Sequence, residues 1–416
     1  MIGTLTWTAL AAWLLLATWW WSGMRRLPRL EVPPEVPPAG GWPRLSLVVA
    51  ARDEVATIAP ALRTWLAQDY PDLEIVIVDD RSSDGTSAAV QAVLTQYDAV
   101  SDGRKAGPSV HPLRLEALPD GWLGKTHAQA RGAAQAGGEW LLFADADVRM
   151  APQAVRAAIA CARSAQADHV ALLPRFDTPA EGWRAHLVLA FETAFALLLT
   201  VLVRPWLAPD PRSPATLGLG AFGLYRRDAY ERAGGHEAVR LRPDDDLALA
   251  TSVKAAGGRS LVVFAPTLVA VSWYTSLGEA LRGLEKNAFA GLRYSLPLVT
   301  LVSAGLLATH VLPFAVALFG AGAERAAGLG VVVIVTAVYA WYGGRSGQPA
   351  WYALLHPVSV LALVLALLRS TATALVTGRI AWRGTHYALA DLRAAQRAAQ
   401  REPRHEARQS RNSPRT

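Results

Sequence analysis

The sequence predicts an α/β domain, a mainly parallel sheet covered by helices, set between apolar helices that enter a membrane. Three observations predict it. From residue 45, short apolar runs rich in β-branched residues alternate with helical stretches. Apolar residues crowd at the N-terminus and again after residue 294. The charged fraction is 18% beside a hydrophobic fraction of 52%, whereas soluble domains carry about 25% charged residues.

Residues 4–22 are almost wholly apolar and include Trp7, Trp13, Trp19, Trp20 and Trp21. About 20 helical residues at ~1.5 Å each cross a bilayer core, and the tryptophans suit its headgroup boundary. Arg25, Arg26 and Arg29 follow at once, which places that end in the cytoplasm. A cleaved signal peptide carries its positive charge before the apolar run, so residues 1–24 read as an uncleaved anchor. Residues 25–43 contain Pro33, Pro34, Pro37, Pro38 and Pro43 and read as a stiff linker.

The globular domain follows over residues 44–290. Strands are expected at Leu45–Ala51, Leu73–Asp79, Arg114–Leu118, Trp140–Ala144 and His169–Leu173, helices at 55–68 and 84–97, and a polar surface loop at 98–112. In such folds ligands lie beyond the carboxyl ends of the strands. The single cysteine, Cys161, excludes an intrachain disulfide and reads as core filler.

Three apolar blocks, 296–319, 329–342 and 351–375, make residues 291–378 a C-terminal transmembrane region. The first and last are long enough to cross, and the middle one is short. Residues 379–416 form a basic tail with nine arginines and three acids. Three crossings would put that tail outside, against the positive-inside rule. Two crossings, with the middle block re-entrant, keep it inside, so two to three C-terminal helices are expected. The tail holds nearly all of the net charge of +7, which suits anionic lipid and argues against a nucleic-acid partner.

The chemistry gathers at strand ends. Phe143-Ala144-Asp145-Ala146-Asp147 closes an apolar run, and residues two apart on an extended backbone point the same way. Asp145 and Asp147 can therefore address one site, a hard-oxygen pair suited to Mg²⁺ or Mn²⁺ beside a phosphate. A solvated strand end is the plainer alternative. Ser46–Glu54 reads SLVVAARDE and Val76–Thr86 reads VIVDDRSSDGT. Asp84 reads as a helix cap. Asp80 is either a turn residue or an acceptor for the N–H of a uracil-type base. Leu118–Gly132 reads LPDGWLGKTHAQARG, with Lys125 at a helix start where it can meet a diphosphate. Leu217–Tyr225 is glycine-rich, and Glu231–Glu237 reads ERAGGHE. Asp244, Asp245 and Asp246 then open a helix closed at Gly257, either as a cap in the helix dipole or as the home of a general base.

Taken in this order, the motifs resemble those of family 2 glycosyltransferases over residues 44–290. WLGKTHA, SLGEALRGLEKNAFAGLRYS and WRGTHY are similar to the membrane branch of hopanoid-associated and carotenoid glycosyltransferases. The resemblance implies an A-type, Rossmann-like glycosyltransferase fold. It also implies an inverting, metal-dependent transfer from a nucleotide-sugar, a UDP-sugar, to the hydroxyl or carboxyl of a hopanoid-, carotenoid- or isoprenoid-like lipid. The place implied is the cytoplasmic face of a bacterial-type inner membrane.

By position, the resemblance implies that Ala51, Arg52 and Glu54 line the nucleotide pocket, Asp80 binds the base and Lys125 faces the diphosphate. Asp145 would contact ribose or metal, and Asp147 would be the main metal ligand. Gly235 and His236 would border the acceptor. The family's Glu-Asp pair is Asp-Asp here. Counting back from Gly257 makes Asp246 the base, with Asp245 second and Asp244 third.

The Gln/Arg-x-x-Arg-Trp motif of processive synthases is missing, since residues 282–287 read RGLEKN. This weighs against a processive polysaccharide synthase. A non-catalytic nucleotide-sugar-binding membrane protein is the other reading. Leu187–Val203 is nearly long enough to span but carries Glu192. Asp147 precedes it and Asp246 follows it, and both must reach one sugar. Residues 187–203 are therefore expected to lie along the membrane surface, where a lipid acceptor enters.

Overall fold

The computed structural model describes residues 2–30, 40–101, 107–285, 288–382, 385–394 and 396. Most of the proline-rich linker and the end of the basic tail lie outside them. The first half of the chain runs α1 (Ile2–Met24), β1 (Leu45–Ala51), α2 (Ile58–Leu66), β2 (Leu73–Asp80), α3 (Thr86–Ser101), β3 (Ser109–Leu115), α4 (Gly124–Gln135), β4 (Trp140–Asp145), β5 (Val148–Met150), α5 (Ala154–Ser164), β6 (His169–Leu173), β7 (Arg175–Phe176) and α6 (Gly182–Val203). The second half runs β8 (Gly223–Arg226), α7 (Arg227–Arg232), α8 (Asp245–Ala255), β9 (Ser260–Phe264), β10 (Val269–Val271), α9 (Leu277–Glu285), α10 (Ala288–Gly291), α11 (Leu296–Leu306), α12 (Leu312–Phe319), α13 (Gly322–Ser346), α14 (His356–Thr377), β11 (Arg379–Trp382) and β12 (Thr385–Ala388).

Seven strands form the central sheet in the order β3-β2-β1-β4-β8-β6-β9. Only β8 runs antiparallel to its neighbours. Side chains alternate across each strand. Leu45, Leu47, Val49, Ile75, Ile77 and Leu142 face α2 and α5, where Trp65 and Ile159 are buried. Val48, Val76, Val78, Leu141 and Phe143 face α4 and α8. Each fully buried aliphatic side chain contributes about 1.5–3 kcal/mol. Burial on both faces explains why β1, β2, β4 and β6 are continuous apolar runs in the sequence.

Register fixes where chemistry can occur. Ala51 pairs with Asp79, and Ala50 pairs with Asp145. The carboxyl ends of β1, β2 and β4 therefore open on one side. A small sheet, β5-β10-β7, begins beside this end of β4, since β5 starts at Val148, directly after Asp147.

Two expected elements differ. The strand expected at Arg114–Leu118 is β3 (Ser109–Leu115), and it takes part of the expected 98–112 loop. It is an edge strand with mostly exposed side chains, so no apolar run betrays it, and its Pro112 is tolerated there. The short apolar block at 329–342 belongs to a 25-residue helix, α13. Its ends carry Glu324, Arg325 and Arg345, which hide its length.

Among the described residues, five helices are long and apolar enough to cross a membrane: Ile2–Met24, Gly182–Val203, Leu296–Phe319, Gly322–Ser346 and Ala350–Thr377. The helical stretch through α11 and α12 contains a π-turn at Leu307–Val311. Pro313 has no N–H for the carbonyl four residues back, which is that of Thr309. Trp13 of α1 takes that carbonyl instead, donating its Nε1–H at 2.8 Å.

Candidate active site

The loops after β1 and β2 are stitched together. The Asp53 N–H donates to Ser82 Oγ (3.0 Å), the Glu54 N–H to Thr86 Oγ1 (2.8 Å) and the Val55 N–H to Asp84 Oδ2 (3.0 Å). Asp84 also accepts from the Thr86 N–H at the start of α3, so it does cap that helix. Ala51 is buried, and Arg52 reaches Asp80 Oδ2 at 3.8 Å.

Asp80 is buried and takes a two-pronged contact from Arg81, at 2.8 and 3.1 Å. It also touches the start of α4. A Cβ on Gly124 would sit 2.4 Å from Asp80 Oδ2, so only glycine permits this approach.

Lys125 stands in the first turn of α4. Its Nζ lies 2.7 Å from Asp145 Oδ1 and 3.7 Å from Asp245 Oδ2. Burial alone would lower its pKa, but Asp145, Asp245 and Asp246 outweigh that and hold it charged, above the ordinary lysine value. Asp147 lies beyond the strand end. Burial pushes its carboxyl up to about 8, reinforced by Asp145 and Glu54. Such mutual repulsion among carboxylates is relieved by a cation.

Gly220, in the glycine-rich segment before β8, joins the two ends of the domain. Its carbonyl accepts the Asp145 N–H at 2.8 Å, and its own N–H donates to Asp246 Oδ2 at 2.6 Å. Burial raises the Asp246 carboxyl, Lys125 opposes that and Asp145 adds to it. Asp245 is 4% exposed and faces Lys125. Asp244 differs from both. It is clasped by Arg242 at 2.6 and 2.8 Å and makes no side-chain cap to α8.

The sequence-predicted residues thus divide. Ala51, Arg52, Glu54, Asp80, Lys125, Asp145, Asp147, Asp245 and Asp246 surround one region. Gly235 and His236, expected at the acceptor, do not open onto it. His236 is 2% exposed, its Nδ1 bonds Tyr230 Oη at 2.9 Å, and its ring packs on Phe143. A Cβ on Gly235 would meet the Tyr230 ring at 2.8 Å. Both residues support the floor of the site, because the Tyr230 and Phe143 rings leave His236 no solvent face.

Sequence reasoning gave no role to Arg81, Gly220 or Tyr387, although each lies in a quoted stretch, Tyr387 as the last residue of WRGTHY. The hydroxyl of Tyr387, on the hairpin after α14, accepts the Gly124 N–H. No local signal announces a contact between residues so far apart in the chain.

For a metal, Asp145 and Asp147 supply hard oxygens in a negative setting, the chemistry Mg²⁺ or Mn²⁺ prefers. Among the described residues, no group of three or more His, Cys, Asp or Glu forms a complete cage. The pair therefore fits an ion that shares its shell with phosphate oxygens.

Residues 46–232 match the profile described as Glycosyl transferase family 2. The succinoglycan biosynthesis protein ExoO of Rhizobium meliloti is 34% identical over 125 residues, 30% of this chain and 31% of that one. The GalNAc(5)-diNAcBac-PP-undecaprenol beta-1,3-glucosyltransferase of Campylobacter jejuni is 28% identical over 109 residues, 25% of this chain and 30% of that one. The chain spans about a third of the length of these curated relatives. The solved structure of mannosyltransferase PcManGT from Pyrobaculum calidifontis, in complex with GDP-Man and Mn²⁺, superposes with a TM-score of 0.51. That match covers 90% of this chain and 99% of that one at 18% identity, a likeness of fold. Residues 46–232 thus resemble a glycosyltransferase family 2 domain, and the chain has a GT-A-like α/β fold.

Proposed function

We propose that this family 2 domain transfers a sugar, with inversion, from a UDP-sugar to the hydroxyl or carboxyl of a membrane lipid of hopanoid, carotenoid or isoprenoid type. One observation carries the reading. Lys125 and Gly220 bring Asp145, from the end of β4, together with Asp245 and Asp246, from the start of α8. Carboxylates from opposite ends of the domain thus meet where the strands end.

In this reading Ala51, Arg52 and Glu54 line the nucleotide pocket, and Asp80 accepts from the base. Lys125 and the positive end of α4 hold the diphosphate, whose charge replaces part of the present pairing with Asp145. Asp145 and Asp147 would hold Mg²⁺ or Mn²⁺, which would supply positive charge against the leaving diphosphate. The acceptor oxygen attacks the anomeric carbon, the bond to the diphosphate oxygen breaks, and the acceptor proton passes to Asp246. A carboxyl raised by burial is the stronger base. Asp245 keeps Lys125 oriented, and the Arg242 clasp removes Asp244 from the chemistry.

A lipid acceptor is supported by how the apolar helices dock. Both ends of α6 rest on the catalytic domain. It starts just after β7, and just past its end Lys254 of α8 donates to the carbonyls of Leu207, Ala208 and Ala215 at 2.6–3.0 Å. Trp20, near the end of α1, donates to Thr200 of α6. These contacts favour α6 lying along the bilayer surface rather than crossing it.

The segment around α14 behaves similarly. Gln348 before it donates to the Phe176 carbonyl at 2.8 Å, and Tyr387 after it meets Gly124. Both contacts are with the catalytic domain. The last block, not the middle one, is then the re-entrant element, and the tail returns to the cytoplasmic face of a bacterial-type inner membrane. Incubating purified protein with labelled UDP-sugars and membrane lipids, with Mg²⁺, with Mn²⁺ or with EDTA, tests the reading. A labelled lipid that disappears with EDTA supports it, and label released only as free sugar defeats it.

A further inference from the structure

Between α6 and the small sheet lies an aromatic group that no step above uses. The Trp273 ring stacks on Phe176 (5.9 Å, 19°) and on Tyr274 (5.0 Å, 19°), and Phe195 of α6 meets it edge-on at 5.4 Å. Trp273, Phe176 and Phe195 all keep part of their surface open. The backbone that carries Trp273 is pinned on both sides. Ser272 Oγ donates to Asp177 Oδ1 at 2.5 Å, Thr178 Oγ1 donates to the Tyr274 carbonyl at 3.0 Å, and the Tyr274 N–H donates to Glu192 Oε1 at 3.1 Å.

Glu192 is the unusual member. It stands in the middle of α6, a helix apolar on all sides, is 0% exposed, and its Oε2 has no hydrogen-bond partner. The charged groups that act on it are Asp177, Asp147 and Glu279, all acidic. A buried carboxyl kept in such a place is costly, and the contact it makes is with the backbone beside Trp273. In the small sheet Val271 pairs with Val148, the residue after Asp147, and with Phe176, which sets this aromatic group beside the candidate metal pair.

We propose that Trp273, with Phe176 and Phe195, is the platform on which the hydroxyl-bearing end of the lipid acceptor rests, and that Glu192 positions it. The proposal rests on the lipid-acceptor reading above. A rigid, half-open aromatic surface binds the apolar body of an amphipathic ligand, and α6 brings it to the bilayer surface where such a ligand arrives. The neighbouring carboxylates then receive the hydroxyl that protrudes from it.

The test uses the full chain in phosphatidylglycerol vesicles doped with a hydroxylated hopanoid, a hydroxycarotenoid or a polyprenol. The lipid that wild type glycosylates is titrated against Trp273→Ala, Trp273→Phe and Glu192→Gln. Trp273→Ala is expected to raise the acceptor KM roughly fivefold to tenfold while the donor KM and the slow hydrolysis of donor stay within twofold. Trp273→Phe should recover most of the loss, and Glu192→Gln should raise the acceptor KM with the donor KM unchanged. An unchanged acceptor KM in Trp273→Ala overturns the platform alone, and so does an equal rise in both KM values. Wild type that glycosylates none of the three lipids overturns the lipid reading and the platform with it.

Discussion

Asp145 and Asp246 meet across a single residue, Gly220, whose carbonyl takes the backbone N–H of the first and whose N–H holds the carboxylate of the second. A side chain at that junction would run into the site's own groups. A Cβ on Gly220 would lie 2.3 Å from Asp145 Oδ2 and 3.0 Å from Lys125 Nζ. Gly220→Ala must therefore push Asp145 or Lys125 aside. Transfer activity is expected to fall at least a hundredfold, because small displacements of positioned groups are expensive in rate. Overpacking should cost about 1–3 kcal/mol of stability. Sugar transfer and thermal unfolding, measured on one preparation, check both. Wild-type activity in Gly220→Ala would show that the junction does not matter.

The three acids at the start of α8 are predicted to separate by effect. Asp246→Asn removes the proposed proton acceptor, and its amide oxygen can keep the Gly220 hydrogen bond at the expense of the one from the Leu247 N–H. It should lower kcat by about 10²–10⁴ and leave donor affinity near wild type. Asp245→Asn weakens the hold on Lys125 and should raise the donor KM more than it lowers kcat. Asp244→Asn breaks only the Arg242 clasp, a half-buried pair worth about 1 kcal/mol, and should keep most of the activity. Steady-state kinetics with calorimetric UDP binding separates the three. If Asp244→Asn is the inactive variant, the base is misassigned.

Much of this site is visible in the sequence because the strands that carry it are buried on both faces. Continuous apolar runs reveal β1, β2 and β4, and the acids that end them fall where ligands bind. β3 escapes because an edge strand exposes its side chains. Gly220 and Tyr387 escape because their partners come from other parts of the chain. His236 misleads for a different reason. A motif position does not say which way a ring turns, and Tyr230 with Phe143 captures it in the core.

The docking of α6 and α14 predicts a labelling pattern. Cys161 is replaced by Ala, and single cysteines are placed at Arg212, in the exposed loop after α6, and at Asp120, beside α4. If α6 lies along the surface, a membrane-impermeant maleimide labels both from the cytoplasmic side only. A third cysteine at Ala388, on the hairpin after α14, should follow the same pattern. Labelling of residue 212 from the opposite face would make α6 a crossing helix, and Asp147 and Asp246 could not then share a sugar.

Two buried histidines predict how the protein responds to acid. His169 is 0% exposed and stacks on Tyr225, and His236 is 2% exposed. Burial pulls both down to about 3, and at His236 Lys125 adds to the effect. The unfolded chain takes up these protons near pH 6.5. The folded chain refuses them until about pH 3. Between those limits the unfolded state binds more protons, so stability falls as pH falls, by about 1.4 kcal/mol per pH unit for each histidine. Above pH 6.5 both states hold neutral rings and this contribution is constant. His169→Gln should remove one such increment from the slope between pH 4 and 6, even if it lowers stability at pH 7. Chemical denaturation at several pH values measures the slope. An identical slope in wild type and variant would mean that His169 takes up its proton in the folded protein, against its burial under Tyr225.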